Sequence, residues 1–282
     1  MVRRNIIKGL LVALSLTFVM SGCQSKAASA VGNSGSAVKA KKIIVGTGSA
    51  YKNVCFLDDK NQLTGFEVET LKKIDELLPQ YEFEFKILDF SAILPSLETG
   101  KIDIAAHQFE SNNERKSKYD FATEGVTKYD QRIVVKDNRE DIKSLDDLAK
   151  IGGTIQVGSA TSNSTYLIEQ WNREHGNKLK TVLAPSDTTI TLQNIDTGKI
   201  DAFLGIERTV DEYKKTYNAK IKIVGDPVNL SNSYYLYRKN DADSAKLKKD
   251  IDEAIVKLKD DGTLKKLSVQ WLGGDYIPEK GK

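Results

Sequence analysis

Arg115 lies in a polar segment whose residue types suit the binding of a carboxylate. The segment is HQFESNNER at 107–115, and it follows the apolar run IDIAA. An arginine beside the start of a short helix can place two parallel N–H groups on one carboxylate. An ordinary surface arginine would fit the same pattern, so the segment alone leaves both interpretations open.

A second segment, VGSATSNST at 157–165, is a serine- and threonine-rich turn that leads into a predicted helix. Free backbone N–H groups at a helix N-terminus attract anions, which makes Ser159 and Ser162 candidate contacts. Ser162 could also act only as the helix N-cap. Because each half of the chain has one such feature, we expect both halves to contact the same carboxylate of a ligand.

Two acids stand at comparable positions beyond the predicted strands. Glu110 lies within the first polar segment, and Glu207 belongs to GIER at 205–208. Ligands of open α/β sheets bind beyond the carboxyl ends of the strands, so the two strand ends would form a cleft if they faced each other. An acid there would bind an ammonium group, and a ligand that carries both a carboxylate and an ammonium group is an amino acid.

The elements that position these residues alternate between strands and helices. Apolar runs and alternating patterns predict strands at 41–46, 81–88, 102–106, 153–158, 179–184, 199–205 and 220–225. Apolar residues at helical spacing predict helices at 65–78, 91–98, 162–176, 187–198 and 207–218. Ser91 is the predicted N-cap of the second helix, with Pro95 in its first turn. This order predicts mainly parallel sheets covered by helices.

The sequence TGKID occurs twice, at 99–103 and 197–201, and each copy joins a predicted helix to a predicted strand. Glycine allows the positive φ that ends a helix, lysine and aspartate are expected in solvent, and isoleucine begins the buried strand. We interpret the repeat as a structural marker of the same helix-to-strand step in both halves.

The first 22 residues combine a basic start, MVRRNIIKG, with an apolar run too short to span a membrane. The following Ser-Gly-Cys23 resembles a bacterial lipobox, in which Cys23 becomes the lipidated N-terminus; an ordinary signal peptide cut near AASA is the alternative. The small polar residues at 23–40 predict a flexible tether. Removal of residues 1–22 leaves equal numbers of basic and acidic residues, so the pI of 8.5 does not support nucleic-acid binding.

Cys55 is the one cysteine that remains besides Cys23, and the two histidines have no metal-ligand spacing. We therefore expect no disulfide, no metal site and no cofactor. Cys55 is expected to be a small packed side chain, because no base near it in the sequence would activate it as a nucleophile.

Several segments, taken in order, resemble the bacterial solute-binding proteins of amino-acid ABC importers, of the polar amino-acid type. They are IIVGTGSAY with GFEVE, LPSLETGKIDIAAHQFESNNERK, GSATSNSTY, TGKIDAFLGIE and DGTLKKLSVQWLGG, and together they span 41–276. The resemblance implies an α/β, two-lobed periplasmic-binding-protein-like fold of type II, joined by two hinge segments. It places lobe 1 at 41–129 plus 228–282 and lobe 2 at 130–227, with crossings near 129–131 and 225–228.

The same resemblance implies which residues contact the ligand. It assigns the α-carboxylate of the ligand to Arg115 and to Thr161, and the aromatic walls to Tyr51 and Phe90. The matched positions are Tyr51, Phe90, His107, Gln108, Glu110, Arg115 and Thr161.

Some positions depart from the family pattern. Gly48 stands where an acid is common, and His107 and Gln108 stand where serines are common. Ile206 occupies the usual position of the acid for the ligand ammonium group, so that role falls to Glu207 or to Glu110. The combination of AAHQFE with LGGDY is similar to the binding proteins for cystine and related sulfur amino acids.

The resemblance implies capture of a polar amino acid by hinge closure and delivery to the membrane permease of an ABC importer. It also implies a monomer without enzyme activity, anchored through Cys23 at the outer face of a bacterial membrane. A dehydratase-like enzyme on the same fold and an amino-acid-sensing receptor module are the alternatives. No matched acid and base marks the first, and no second apolar run of about 18 residues marks the second.

Overall fold

The computed structural model describes residues 39–184 and 187–281. The predicted signal peptide, Cys23 and all but the end of the predicted tether lie outside the described residues. Within the described ranges, no helix is both long and apolar enough to cross a membrane. Two main sheets, each packed against helices on both faces, form a two-lobed α/β fold, as predicted.

Nine strands of the described chain belong to the first lobe. They are β1 (Lys41–Thr47), β2 (Ala50–Tyr51), β3 (Cys55–Leu57), β4 (Leu63–Thr64), β5 (Tyr81–Ile87), β6 (Ile104–Glu110), β7 (Tyr119–Phe121), β8 (Thr127–Lys128) and β14 (Asn232–Arg238). The main sheet has the order β5-β1-β6-β14-β7, with β8 paired to β14, and β2-β3-β4 form a small separate sheet. β1 is parallel to β5 and β6, whereas β14 is antiparallel to β6.

Five helices of the described chain cover this sheet, and their apolar faces form its core. They are α1 (Phe66–Leu77), α2 (Phe90–Glu98), α3 (Asn113–Lys118), α8 (Ala242–Asp260) and α9 (Thr263–Leu272). In α1 the buried residues Phe66, Leu71 and Ile74 recur at helical spacing and pack against Ile43 and Val45 of β1. The C-terminal helices thus return to the first lobe, where they complete its core.

The second lobe repeats the same construction with a smaller sheet. Its strands are β9 (Gln131–Lys136), β10 (Thr154–Val157), β11 (Lys180–Leu183), β12 (Ala202–Gly205) and β13 (Ile221–Asn229), and its helices are α4 (Leu145–Lys150), α5 (Asn163–His175), α6 (Thr188–Asp196) and α7 (Glu207–Tyr217). The strand order is β11-β10-β12-β9-β13, with β10 parallel to β11 and β12. Strands β9 and β13, which join the lobes, run antiparallel to their neighbours.

The chain changes sheet between β8 and β9 and again between β13 and β14. The first change falls at 129–130. The second falls at 230–231, because β13 stays in the second sheet until Asn229 pairs with Gln131. The two connecting segments lie side by side, since the Tyr129 N–H donates to the Ser231 carbonyl at 2.7 Å.

The TGKID repeats end α2 and α6 at glycines with φ of 70° and 74°, as the repeat predicts. The expectation that their aspartates lie in solvent is wrong. Asp103 accepts from the Ile44 N–H and from Arg238, and Asp201 accepts from the Thr154 N–H and from Arg139. Each aspartate therefore ties the start of its own strand to the strand next to it and to an arginine.

Two predicted boundaries near the cleft are also wrong. α2 begins at Phe90 after Asp89, not after Ser91, so Pro95 lies in the helix interior rather than in its first turn. Packing of Phe90 on Phe109, with ring centroids 5.2 Å apart, accounts for the earlier start. β6 continues to Glu110 because its far end pairs with β14. The polar segment thus begins inside a strand.

Candidate ligand-binding site

A cavity of about 330 Å³ lies between the two lobes, and residues of both sheets line it. The first lobe and the connecting segment contribute Tyr51, Phe90, His107, Gln108, Glu110, Arg115 and Tyr129, and Gln131 follows at the start of β9. The wall from the second lobe includes Gln156, Ser162, Asn163, Thr188, Thr191, Phe203, Thr209 and Tyr213. The carboxyl ends of the parallel strands meet here, which is where an α/β sheet places its ligand.

A bulge in β6 shapes the first-lobe wall. Phe109 pairs with Tyr234 and Ala105 with Leu236, so β6 has two more residues than β14 over this stretch. Gln108 takes up the excess with a φ of 53°, a left-handed conformation that is uncommon for a residue other than glycine. Bulges re-aim side chains, and this one brings both His107 and Gln108 to the cavity.

Three hydrogen bonds hold Arg115 at the cavity, one from its backbone N–H and two from its guanidinium. Its N–H donates to the side chain of Asn112, the N-cap of α3, at 2.8 Å. The guanidinium lies over the Phe109 ring and donates to the carbonyls of Glu110 and Thr161, both at 2.8 Å. A guanidinium has five N–H groups, so donors remain for a ligand carboxylate. Burial lowers the pKa of Arg115, and the charge of Glu110 opposes that shift.

Glu110 is buried in the cavity wall and accepts hydrogen bonds from three amides. Gln131 donates to one carboxylate oxygen at 2.7 Å, and Asn163 and Asn229 donate to the other at 3.0 and 3.1 Å. Burial raises the pKa of Glu110 to about 7, although these donors and Arg115 favour the ionised form. A carboxylate has about four acceptor positions, which leaves capacity for one ligand donor.

Contacts behind the cavity wall hold the His107 ring at its Nδ1 atom. Its Nδ1 lies 3.2 Å from the Gly48 N–H, which donates to it, and 3.1 Å from Sγ of Cys55. Burial lowers the pKa of His107 to about 4, so the imidazole is neutral at neutral pH. Because Nδ1 accepts, the proton of the neutral ring lies on Nε2. His107 therefore offers the cavity a donor.

Aromatic rings complete the first-lobe wall. Phe90 stacks on Phe109 and lies 5.3 Å from the His107 ring, and the Tyr51 ring meets His107 edge-on at 6.2 Å. These contacts fix the rings against one another before any ligand contact is made. The wall is thus apolar beside Arg115 and Glu110.

The structure gathers seven of the ten predicted site residues around this cavity: Tyr51, Phe90, His107, Gln108, Glu110, Arg115 and Ser162. Ser162 is also the N-cap of α5, since its hydroxyl accepts from the Thr165 N–H. Thr161 faces a neighbouring cavity of about 300 Å³ instead, and it meets Arg115 through its carbonyl rather than through its amide or hydroxyl. Ser159 is exposed and lines neither cavity.

Glu207 is not at the cavity. It is the first residue of α7, it is exposed, and it faces a surface depression beside Lys128 and Tyr276. The helix begins directly after β12, so its first side chain points away from the strand end while Ile206 lines the cavity. Of the two predicted acids, Glu110 therefore lines the cavity and Glu207 does not.

Sequence reasoning missed the amides that hold Glu110. Asn163 follows the predicted N-cap Ser162, so the serine-rich turn gave a partial signal for it. Gln131 and Asn229 lie at the facing ends of β9 and β13, and nothing in their local sequence marks them. Their role depends on the two connecting segments lying side by side.

Several hydrogen bonds join the lobes across the cleft. Besides the contacts of Arg115 with Thr161 and of Asn163 with Glu110, Asn112 donates to Asn163 at 2.9 Å. On the opposite side of the cavity, Arg208 of α7 donates to the side-chain oxygen of Gln108 at 2.9 Å and to the Lys128 carbonyl at 3.1 Å. The lobes are thus closed on the cavity.

Comparisons with known proteins agree with this geometry. The model of the bacterial extracellular solute-binding proteins, family 3, matches residues 43–274. This chain belongs to that family. The L-cystine-binding proteins TcyK and TcyJ of Bacillus subtilis are 36% and 38% identical to this solute-binding protein over 269 residues, which is 95% of this chain and 96% of each relative.

A solved structure from Listeria monocytogenes, to which an L-cystine ABC transporter function is ascribed, is also similar to this family 3 protein. It has a TM-score of 0.76 and 40% identity, and the match covers 84% of this chain and 98% of that chain. The similarity confirms the predicted fold class. The names of these relatives describe the binding and the transport of L-cystine.

Proposed function

We propose that this protein is the L-cystine-binding component of an ABC importer, working outside the cytoplasm. The observation that carries the proposal is that two buried residues of opposite charge type, Arg115 and Glu110, line one cavity between the two lobes. A cation and an acid in the same cavity suit the carboxylate and the ammonium group of an α-amino acid. The names of the Bacillus relatives support cystine among the amino acids.

The proposed contacts follow from the charges and donors on the wall. One carboxylate of the ligand would bind the remaining N–H groups of Arg115, and the adjacent ammonium group would bind Glu110. The second amino-acid end would meet uncharged polar groups of the second lobe, including Gln156, Thr191 and Tyr213. Nε2–H of His107 adds a donor on the first-lobe side.

The aromatic lining of the cavity suits a disulfide. Phe90, Phe203 and Tyr51 are among the lining residues, and sulfur makes favourable contacts with aromatic rings. A ligand that carries sulfur as well as charged groups would match this lining better than arginine or glutamine would. The match is the reason for preferring cystine to other polar amino acids.

Capture by closure of the lobes is part of the proposal. A ligand that touches Arg115 on one lobe and Gln156 on the other gains contacts only when the lobes meet, and such differential contacts favour the closed state. The bonds of Arg208 with Gln108 and of Asn163 with Glu110 join the two lobes, so they would be made only when the lobes meet. They would add to the ligand's own contribution.

The cellular setting is proposed on the sequence. Lipidation at Cys23 would hold a monomer at the outer face of the membrane, where a permease would take the ligand from the closed form. The anchor is tested by labelling cells with a lipid precursor: Cys23→Ala should abolish lipid incorporation. Label that persists in this variant would contradict the assignment.

Calorimetry tests the ligand. L-Cystine, L-cysteine, L-arginine and L-glutamine are titrated into the protein, and L-cystine should bind at least about tenfold more tightly than the others, a difference of roughly 1.4 kcal/mol. Tighter binding of arginine or glutamine would overturn cystine but keep amino-acid binding. Mass spectrometry of the bound ligand should recover it unchanged, whereas a product would favour the dehydratase alternative.

A further inference from the structure

Three metal-ligating side chains meet behind the first-lobe wall of the cavity. One ligand atom each from Cys55, Glu67 and His107 lies within 4.8 Å of the other two. Sγ of Cys55 lies 3.1 Å from Nδ1 of His107. The residues come from β3, α1 and β6, so their spacing in the sequence does not reveal the cluster.

The cluster is shielded from solvent, and Arg208 is the cation whose charge favours the ionised form of Glu67. Cys55 is fully buried and Glu67 is 1% exposed. Burial raises the pKa of Glu67 to about 7 and raises that of Cys55, which the charge of Glu67 raises further. Anionic forms of both groups are therefore costly here unless a cation is bound between them.

Glu67 also has an unused ligand atom. Oε1 accepts from the Gln108 N–H at 3.2 Å. Among the described residues, Oε2 of Glu67 is buried and has no partner within hydrogen-bond distance, although the Gln108 side chain, whose Nε2 is also unpartnered, lies near enough to favour the ionised carboxylate. A buried carboxylate oxygen without a partner is unfavourable, and a bound cation is one way to satisfy it.

We propose that Cys55, Glu67 and His107 form a binding site for one Zn²⁺ ion. Thiolate, imidazole and carboxylate are the donors that zinc combines in proteins, and three protein ligands leave a fourth position for water or a ligand atom. A thiolate and a carboxylate together neutralise a divalent cation, which removes the cost of burying either charge alone.

The site would connect directly with the amino-acid cavity. Nδ1 of His107 faces Cys55, while the ring itself lines the cavity, so an ion could enter from the cavity past this side chain. Coordination through Nδ1 would replace the hydrogen bond that the Gly48 N–H donates to it. The proton on Nε2 would stay on the cavity side, because imidazole ligands keep it on the nitrogen that does not bind metal.

The experiment uses the full chain with Cys23→Ser, so that Cys55 is the only thiol. Co²⁺ replaces zinc as a probe, because thiolate coordination gives a charge-transfer absorption band. The chain, without amino acids, should develop this band at one equivalent of Co²⁺, and Zn²⁺ should abolish it by displacement. Absence of the band in this correctly folded chain would overturn the proposal without any further variant.

Variants then assign the ligands. Cys55→Ser should remove the band, and Glu67→Gln and His107→Gln should each weaken Zn²⁺ binding in calorimetry at least about tenfold, as loss of one ligand predicts. His175→Gln is the matched control. His175 is the only other histidine of the sequence, and it stacks on Trp171 at the C-terminal end of α5. Zn²⁺ binding that survives Cys55→Ser unchanged, or that is lost in His175→Gln, would overturn the site. The proposed amino-acid function does not depend on either result.

Discussion

A Cβ atom on residue 48 would lie 2.5 Å from Cε1 of His107, so the imidazole fills the space in which a side chain at position 48 would begin. The residue types at 48 and 107 therefore depend on each other sterically. Glycine at 48 makes room for the ring, and its N–H donates to Nδ1. The pair sets the shape of one wall of the cavity.

Gly48→Ala should displace the His107 ring and weaken ligand binding. The ring has little freedom to move, because Cys55, Tyr51 and Phe90 all contact it. We expect overpacking to cost about 1–3 kcal/mol in the free energy of unfolding, measured with urea.

The matched test of that prediction is a double-mutant cycle with His107→Ala. Gly48→Ala should cost much less when the imidazole is absent, with a coupling energy of at least about 0.5 kcal/mol, as for residues in contact. Additive effects in the cycle would contradict the steric relationship between the two residues.

Arg115→Ala should weaken L-cystine binding by roughly 2–5 kcal/mol, because it leaves the ligand carboxylate buried without its cation. Calorimetry measures the affinity, and Arg173→Ala, at an exposed position in the last turn of α5, is the control. Since Arg115 also donates to Glu110 and Thr161, the unfolding free energy of each variant is measured without ligand. Near-normal affinity in folded Arg115→Ala protein would exclude Arg115 as the carboxylate ligand.

Glu110 should make folding stability depend on pH. Its pKa is about 7 in the folded protein, raised by burial from an ordinary value of 4.5. Between those values the folded chain holds a proton that the unfolded chain has released, so the contribution of Glu110 is most favourable below pH 4.5. It is lost as pH rises through 7, by about 3 kcal/mol at most. Urea unfolding of Glu110→Gln should lack this component of the pH profile.

Ligand affinity should change in the opposite direction with pH. Only ionised Glu110 attracts the ligand ammonium group, so affinity should fall as pH decreases from 8 to 6. Glu110→Gln should weaken binding at least about tenfold at pH 8 and flatten the profile. Glu207→Gln is the matched control, because Glu207 is exposed outside the cavity, and it should bind like the unchanged protein. Equal losses in the two variants would contradict the assignment of Glu110.

The repeated aspartates should contribute to stability in each lobe independently. Each aspartate pairs with an arginine and also accepts a backbone N–H, and Asp103→Asn and Asp201→Asn each remove the charge from this ion pair. We expect each to lower the unfolding free energy by about 1–3 kcal/mol, with additive effects in the double variant. Lys101→Ala, in the same repeat but exposed, should change it by less than about 0.5 kcal/mol.

The sequence predicted the elements because their signals are local. Helical and alternating spacing of apolar residues, and the glycines that end α2 and α6, depend only on nearby positions. The sequence also placed Arg115 beside the start of a short helix and Ser162 at an N-cap, because the signals for a helix start extend over only a few residues. The start of α2 was missed because the packing of Phe90 on Phe109, from a distant strand, decided it.

The sequence by itself thus determined the α/β order of two halves and the polar segments at their strand ends, and the resemblance to a known family implied the two lobes. Tertiary structure decided which acid belongs to the site, because the bulge and length of β6 bring Glu110 to the cavity while α7 turns Glu207 away. It also decided the partners of Glu110 and the meeting of Cys55, Glu67 and His107. These are contacts between residues far apart in the chain, and packing of whole elements sets them.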